Sequence, residues 1–276
     1  MKRLITHANF IIVFLFISWE LNAQVALPTF QAFITPHKST VGPVIAAGNY
    51  IAGAILANGT VKFWGRNNYG QLGQGNTTQI GDNSGEMGDN LSAIDLGTGR
   101  TATAIAANFY EAMALLDNGT VKVWGQNTYG QLGQGNTTRI GDNSGEMGDN
   151  LSAIDLGTGR TATAIYMGLA MTGAILDNGT VKVWGWGFYG GHGQGHTNHI
   201  GDNSGEMGDN LSAVDLGTGR TAIDIGIGAS FTAVLLDNGT VKAWGKGYYG
   251  SLGTGNTNDI GDNSGEMGDN LSVIDL

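Results

Sequence analysis

Apolar and polar residues alternate along this chain in short runs that end at glycine. Thr120–Gly125 (TVKVWG) sets Val121 and Val123 against Lys122 and Trp124, a period of two that predicts a strand. Glu111–Leu116 precedes it, with Asp117-Asn118-Gly119 between them. Asn-Gly accepts positive φ at both central positions of a tight turn, so the two runs are expected to pair as a hairpin of fixed register. Upstream, Ser92–Leu96 (SAIDL) is short and apolar, Gly97–Arg100 reads as a turn, and Thr101–Ala107 (TATAIAA) is rich in Thr, Ile and Ala. Within this stretch no segment keeps a helical period over ten residues. The pattern predicts an all-β chain of four-stranded antiparallel meanders. Small residues such as Ala102, Ala104 and Ala112 suit sheets stacked face to face.

The same runs return every 60 residues. NGTVKFWG begins at Asn58, NGTVKVWG at Asn118 and Asn178, and NGTVKAWG at Asn238; IGDNSGEMGDNLS begins at Ile80, Ile140, Ile200 and Ile260. Four copies of a small unit imply radially stacked four-stranded antiparallel sheets, a β-propeller of four 60-residue repeats. Blade strands are expected at about 33–65, 93–125, 153–185 and 213–245, with 272–276 as a last strand. Two arrangements are open: an open or partial array, or a small closed ring in which Ser272–Leu276 crosses to the first blade. Residues 126–150 form a long excursion between blades, a length that carries function or packs as a compact loop.

The pattern A-I-L-x-N-G-T-V-K-x-W-G-x-N-x-Y-G-Q-L-G-Q-G runs from Ala54 to Gly75 and from Ala114 to Gly135, with altered versions at Ala174–Gly195 and Val234–Gly255. It resembles the regulator-of-chromosome-condensation repeat, and the insert GDNSGEMGDNLSAIDLGTGRTA resembles the secreted bacterial branch of that family. The resemblance implies a β-propeller, usually of seven blades, so four copies also fit a fragment of a longer array. Secreted relatives include inhibitors of β-lactamases, which implies a frame for binding proteins. The family often carries Gly-x-x-His before the hairpin. Here the glycine position holds Gly48, Asn108, Gly168 and Gly228, and the histidine position holds Ile51, Glu111, Met171 and Phe231. The nucleotide-exchange activity of the nuclear member is therefore not expected.

Composition narrows the classes. Of 276 residues, 48 are Gly and 3 are Pro, none is Cys, and 13% are charged while 41% are hydrophobic. Glycine at this density without proline is not collagen, and the hydrophobic content excludes a disordered linker. Without cysteine there are no disulfides and no thiolate sites. Lys2 and Arg3, the apolar run Phe10–Trp19 and Leu21-Asn22-Ala23 read as a signal peptide over 1–23, followed by a lead-in at 24–32. Export to the periplasm, the cell surface or the medium is expected, with no stable membrane span after cleavage. Losing Lys2 and Arg3 from 13 basic residues, and Glu20 from 23 acidic ones, leaves a net charge of −11. That balance argues against nucleic acid, which requires Lys and Arg clusters. No phosphate-binding loop or dinucleotide fingerprint points to a nucleotide either.

Three sets of residues remain as candidate chemistry. His192, His196 and His199 fall within eight residues and are unique to the third copy, three imidazoles of the kind that bind zinc, nickel or copper, though on a Gly-rich loop that does not preorganise them. Asp82, Glu86 and Asp89 recur in every insert as an oxygen-rich loop of the kind that wraps Ca²⁺, or as a solvated Ω-loop. Copies differ most just before Tyr-Gly, at Arg66 and Asn68, Gln126 and Thr128, Trp186 and Phe188, Lys246 and Tyr248. Trp64, Trp124, Trp184 and Trp244 are periodic and are assigned to packing between blades, whereas Trp186 is unshared and suits an interface. The primary expectation is a secreted, non-enzymatic propeller that binds a protein or glycan through this loop face, without a cofactor. The alternatives are a metal-dependent enzyme or metal-binding protein using the three histidines, and a structural surface array.

Overall fold

The computed structural model describes residues 44–276, so the signal peptide and lead-in expected at 1–32, and the first blade's opening at 33–43, lie outside the described residues. Twelve strands are described, three to a sheet. The first sheet holds β1 (Val44–Ala47), β2 (Ile51–Ile55) and β3 (Val61–Gly65), the second β4 (Ala102–Ala107), β5 (Glu111–Leu116) and β6 (Val121–Gly125). The third holds β7 (Ala162–Met167), β8 (Met171–Leu176) and β9 (Val181–Gly185), the fourth β10 (Ala222–Ile227), β11 (Phe231–Leu236) and β12 (Val241–Gly245). Every pairing is antiparallel between sequence neighbours, the expected meander.

The hairpin register is set by its turn, though not by two residues at positive φ. Only Gly119 is left-handed, at φ 79°. The Gly119 amide donates to the Leu116 carbonyl at 3.0 Å, and the Leu116 amide donates to Thr120 at 2.8 Å. This is a turn closed by a left-handed glycine, which pairs Leu115 with Val121. The Asn118 side chain accepts from the Thr120 amide at 3.2 Å, the turn's remaining backbone donor, and from the Thr120 hydroxyl at 2.8 Å.

Four-stranded blades were expected, and the sheets have three regular strands. The fourth segment, Ser92–Leu96, makes one backbone bond to the sheet: the Ile94 amide donates to Val61 at 2.8 Å. The same bond recurs as Ile154 to Val121, Val214 to Val181 and Ile274 to Val241. The segment therefore belongs to the outer edge of the preceding sheet, not to the opening of the next. Ser272–Leu276 likewise lies against β12 of its own unit and does not cross to the first sheet. For the segments followed by another unit the physical reason is competition for backbone groups. The Asp95 carbonyl accepts the Gly148 amide at 3.1 Å, and the Leu96 carbonyl accepts the Lys122 ammonium at 3.0 Å. Both donors come from the next unit and occupy carbonyls that a ladder would use.

The core lies between sheets. One cluster joins Val61 and Phe63 to Ala112, Ala114 and Trp124; a second joins Val121 and Val123 to Ala174 and Trp184; a third joins Val181 and Val183 to Val234 and Trp244. Alanine and glycine let the sheets approach: a Cβ at Gly48 would meet the Asn108 carbonyl oxygen, in the next unit, at 2.2 Å. Among the described residues no helix is long and apolar enough to cross a membrane.

Candidate functional site

The excursion after each hairpin packs against its neighbour. Gly75 donates to Gly141 at 3.1 Å, and the Trp124 indole N–H donates to the Gln71 carbonyl at 3.0 Å. The Asp149 carboxylate accepts the Thr98 amide at 2.9 Å and the Thr98 hydroxyl at 2.5 Å, which holds its pKa below the usual carboxylate range. Glu86 accepts the amides of Gly81 at 2.7 Å and Asn83 at 3.0 Å, and backbone donation lowers its pKa in turn. Glu86 thus spends its oxygens on the insert's own amides, and Asp149 on Thr98. Asp82, Glu86 and Asp89 do not converge as a metal site, and among the described residues no group of three metal-ligating side chains does.

The three histidines also have other work. His192 stands where the other units have Leu72, Leu132 and Leu252, fully buried in the loop. Its Nε2 lies 2.9 Å from the Asn198 carbonyl, and its Nδ1 accepts the Gln194 amide at 3.2 Å. Nε2 is therefore the protonated nitrogen. In the first unit the Asn67 side chain donates to the equivalent carbonyl, Thr78, at 3.0 Å. Gly187 replaces that asparagine, and a Cβ there would meet the Asn198 oxygen at 1.9 Å, so the imidazole takes over its bond. Burial pushes the His192 pKa down to about 4. His199 accepts the Gly187 amide at 3.1 Å and His196 accepts the Asn198 amide at 3.3 Å. The imidazole nitrogens that face the loop brace its backbone.

The variable loop face carries a different chemistry. Asn68, Thr128, Phe188 and Tyr248 are exposed, and Arg66, Gln126, Trp186 and Lys246 are half-buried beside them. Around Trp186, Phe188 stacks edge-on at 5.6 Å and Tyr189 at 6.1 Å, with Tyr129 tilted at 6.1 Å. His199 closes the group against Phe188 at 5.3 Å and Tyr129 at 5.1 Å. The Lys246 ammonium sits 4.3 Å from the Tyr189 ring. The Trp186 indole N–H is closed from solvent and has no acceptor among the described residues. A second group repeats the theme between units one and two, where the Arg66 guanidinium lies 5.8 Å from the Tyr50 ring and 5.6 Å from Tyr110. The sequence singled out Trp186, Phe188, Arg66 and Lys246. It did not place Tyr50, Tyr110, Tyr129 and Tyr189 beside them. Tyr129 and Tyr189 belong to the periodic Tyr-Gly, which reads as frame rather than site.

Glu111 stands where the resembled family often carries histidine. It is fully buried, accepts the Gln131 side-chain amide at 2.7 Å through one oxygen, and has no partner for the other among the described residues. Burial pushes its pKa up to about 7.

Residues 102–131 and 222–251 match the Regulator of chromosome condensation (RCC1) repeat. The chain is 30% identical over 204 residues to the E3 ubiquitin-protein ligase HERC2 of Mus musculus, 73% of this chain and 4% of that protein. It is 28% identical over 225 residues to the Ultraviolet-B receptor UVR8 of Arabidopsis thaliana, 78% of this chain and 43% of that one. Its fold is similar to the crystal structure of Prp20p of Saccharomyces cerevisiae, with a TM-score of 0.60 and 16% identity, over 88% of this chain and 52% of Prp20p. The chain thus spans about half, or much less, of the length of these three proteins. Two of its sixty-residue units thus carry a match to the regulator of chromosome condensation (RCC1) repeat, and its fold is similar to that of yeast RCC1 (Prp20).

Proposed function

We propose that this chain is an exported, non-enzymatic binding module that takes a protein or glycan ligand on the aromatic and cationic loop face. The observation that carries the reading is the cluster of Trp186, Phe188, Tyr189 and Lys246 on a rigid frame. Rings fixed by stacking lose little entropy on binding, and a cation beside them adds recognition of acidic or hydroxyl-rich partners. Trp186 is unshared among the copies, as expected of a contact residue and not of a frame residue. Binding-type RCC1 repeats agree with this kind of module. The ligase and receptor activities named for the relatives belong to proteins of which this chain matches a fraction.

Two measurements test the proposal. Immobilised chain is exposed to a glycan array and to exported proteins of the source cell, beside the double variant Trp186→Ala/Phe188→Ala. Loss of two anchor aromatics is expected to weaken any captured ligand by about thirtyfold, the equivalent of ~2 kcal/mol at a hot spot. Undiminished capture of every ligand by the double variant rejects this face. Export is checked separately, by sequencing the amino terminus of the protein recovered outside the cytoplasm, which is expected to begin at Gln24.

A further inference from the structure

Most of the chain's positive charge is spent inside its frame. The Lys62 ammonium donates to the Gly88 carbonyl at 2.8 Å, and Lys122, Lys182 and Lys242 donate likewise to Gly148, Gly208 and Gly268 at 2.6–2.7 Å. Arg100, Arg160 and Arg220 pair with Asp117, Asp177 and Asp237 at 3.3–3.4 Å, beside the hairpin turns. Of the described lysines and arginines this leaves Arg66, Arg139 and Lys246. Arg139 keeps one loose carboxylate contact, to Asp142 at 3.9 Å, and among the described residues Arg66 and Lys246 have none. In a chain of formal net charge −10, the cations that the frame does not use all stand against tyrosine rings of the loop face.

These cations flank two continuous groups of rings. In the first, Arg139 lies 5.5 Å from Tyr69, Tyr69 meets Tyr110 edge-on at 5.1 Å, and Arg66 lies 5.6 Å from Tyr110 and 5.8 Å from Tyr50. In the second, Lys246 lies 4.3 Å from Tyr189 and 5.4 Å from Tyr248, and Tyr189 leads through Trp186 to Tyr129. The two groups share one rule. Tyr69, Tyr129 and Tyr189 stand sixty residues apart, each half-buried, and each is faced by a basic side chain of the following unit: Arg139, His199 and Lys246. The face therefore presents the same pairing of ring and base three times in successive units.

We propose that this face binds an anionic polysaccharide, a chain of acidic sugar residues laid along successive units. The inference rests on the binding face proposed above and names the chemistry of its ligand. An acidic sugar offers a C–H face to an aromatic ring and a carboxylate or sulfate to the cation beside it, so one sugar residue satisfies one pair. A repeating polymer suits a repeating face. Once the first pair is engaged each further contact is intramolecular, so weak single contacts sum to a useful affinity. A folded acidic protein suits it less, because a broad surface also meets the chain's own carboxylates, such as Asp142 beside Arg139, whereas one polymer strand touches only the row.

The experiment is affinity electrophoresis of the full chain in gels that contain polygalacturonate, dextran sulfate, unmodified dextran or poly-glutamate. Retardation by one or both acidic polysaccharides, and none by dextran, is expected; the more retarding polymer names the acid group. The variant Arg66→Gln/Arg139→Gln/Lys246→Gln is expected to bind about tenfold more weakly or worse. Arg66→Gln and Lys246→Gln are each expected to lose part of that, because one polymer spans both groups. Arg100→Gln/Arg160→Gln/Arg220→Gln removes the same charge from exposed frame pairs and is expected to bind as the parent does. No retardation by either acidic polysaccharide overturns the proposal. So does undiminished retardation of the first triple variant, or equal weakening of the two triple variants, which reduces the effect to net charge. Retardation by poly-glutamate as strong as by the polysaccharides assigns the face to acidic peptide and also overturns it. A protein or neutral glycan captured by the parent and lost by Trp186→Ala/Phe188→Ala, with no acidic polysaccharide bound, keeps the proposed face and overturns the ligand class alone. Circular dichroism melts of both triple variants separate lost binding from lost folding.

Discussion

At the residue scale the chain's most unusual side chain is Glu111. A carboxyl with no exposed surface and one unpaired oxygen favours its protonated form, so its pKa rises to about 7 from the ordinary 4.5. The folded state then binds more protons than the unfolded state between about pH 4.5 and 7. Stability is full below that window and falls as pH rises through 7. The shift corresponds to a loss on the order of 3 kcal/mol across the window. Glu111→Gln keeps the acceptor for Gln131 and removes the charge. Urea midpoints of this variant are expected to be flatter between pH 4.5 and 8, and higher than the parent's at pH 8. An unchanged pH slope rejects the assignment. His192 behaves in the opposite sense: burial lowers its pKa to about 4, so its contribution is lost as pH falls from about 6.5 through 4. Neither role is legible in sequence. A glutamate among apolar strand positions and a histidine beside two others suggest chemistry, and only the neighbours reveal a buried carboxyl and a loop brace.

At the scale of elements, the hairpin was legible and the fourth strand was not. The Asn-Gly turn acts through bonds within five residues, so the sequence contains every partner it needs. Ser92–Leu96 has the alternation of a strand, with Ile94 and Leu96 buried, but its carbonyls are taken by Gly148 and Lys122 of the next unit. Those donors lie outside any local window. The same dependence gives Trp124 its value. Trp124→Phe would leave the buried Gln71 carbonyl without its indole donor, at an expected cost of about 1–3 kcal/mol in denaturant unfolding. Trp64→Phe, at the half-buried tryptophan of the first sheet, is expected to cost less than about 0.5 kcal/mol, the range of substitutions away from packed features. Equal costs for the two would show that the tryptophans act within their own sheets.

At the scale of the whole molecule, sheets interact with nearest neighbours, so stability is a sum of units and junctions. The loop face extends over several units, and its aromatic cluster around Trp186 combines rings of its own unit, Phe188 and Tyr189, with Tyr129 of the unit before. The alternation of residues, the sixty-residue period and the turn chemistry were determined by the sequence alone, because they rest on local backbone preferences and on covalent spacing. Burial was decided by the tertiary structure. The strand VKVWG of the second and third units is buried throughout, and its counterpart VKFWG in the first keeps Trp64 half-exposed. Nearly identical residues differ in this way because half of each core is supplied by the neighbouring sheet, which lies outside the repeat's own residues.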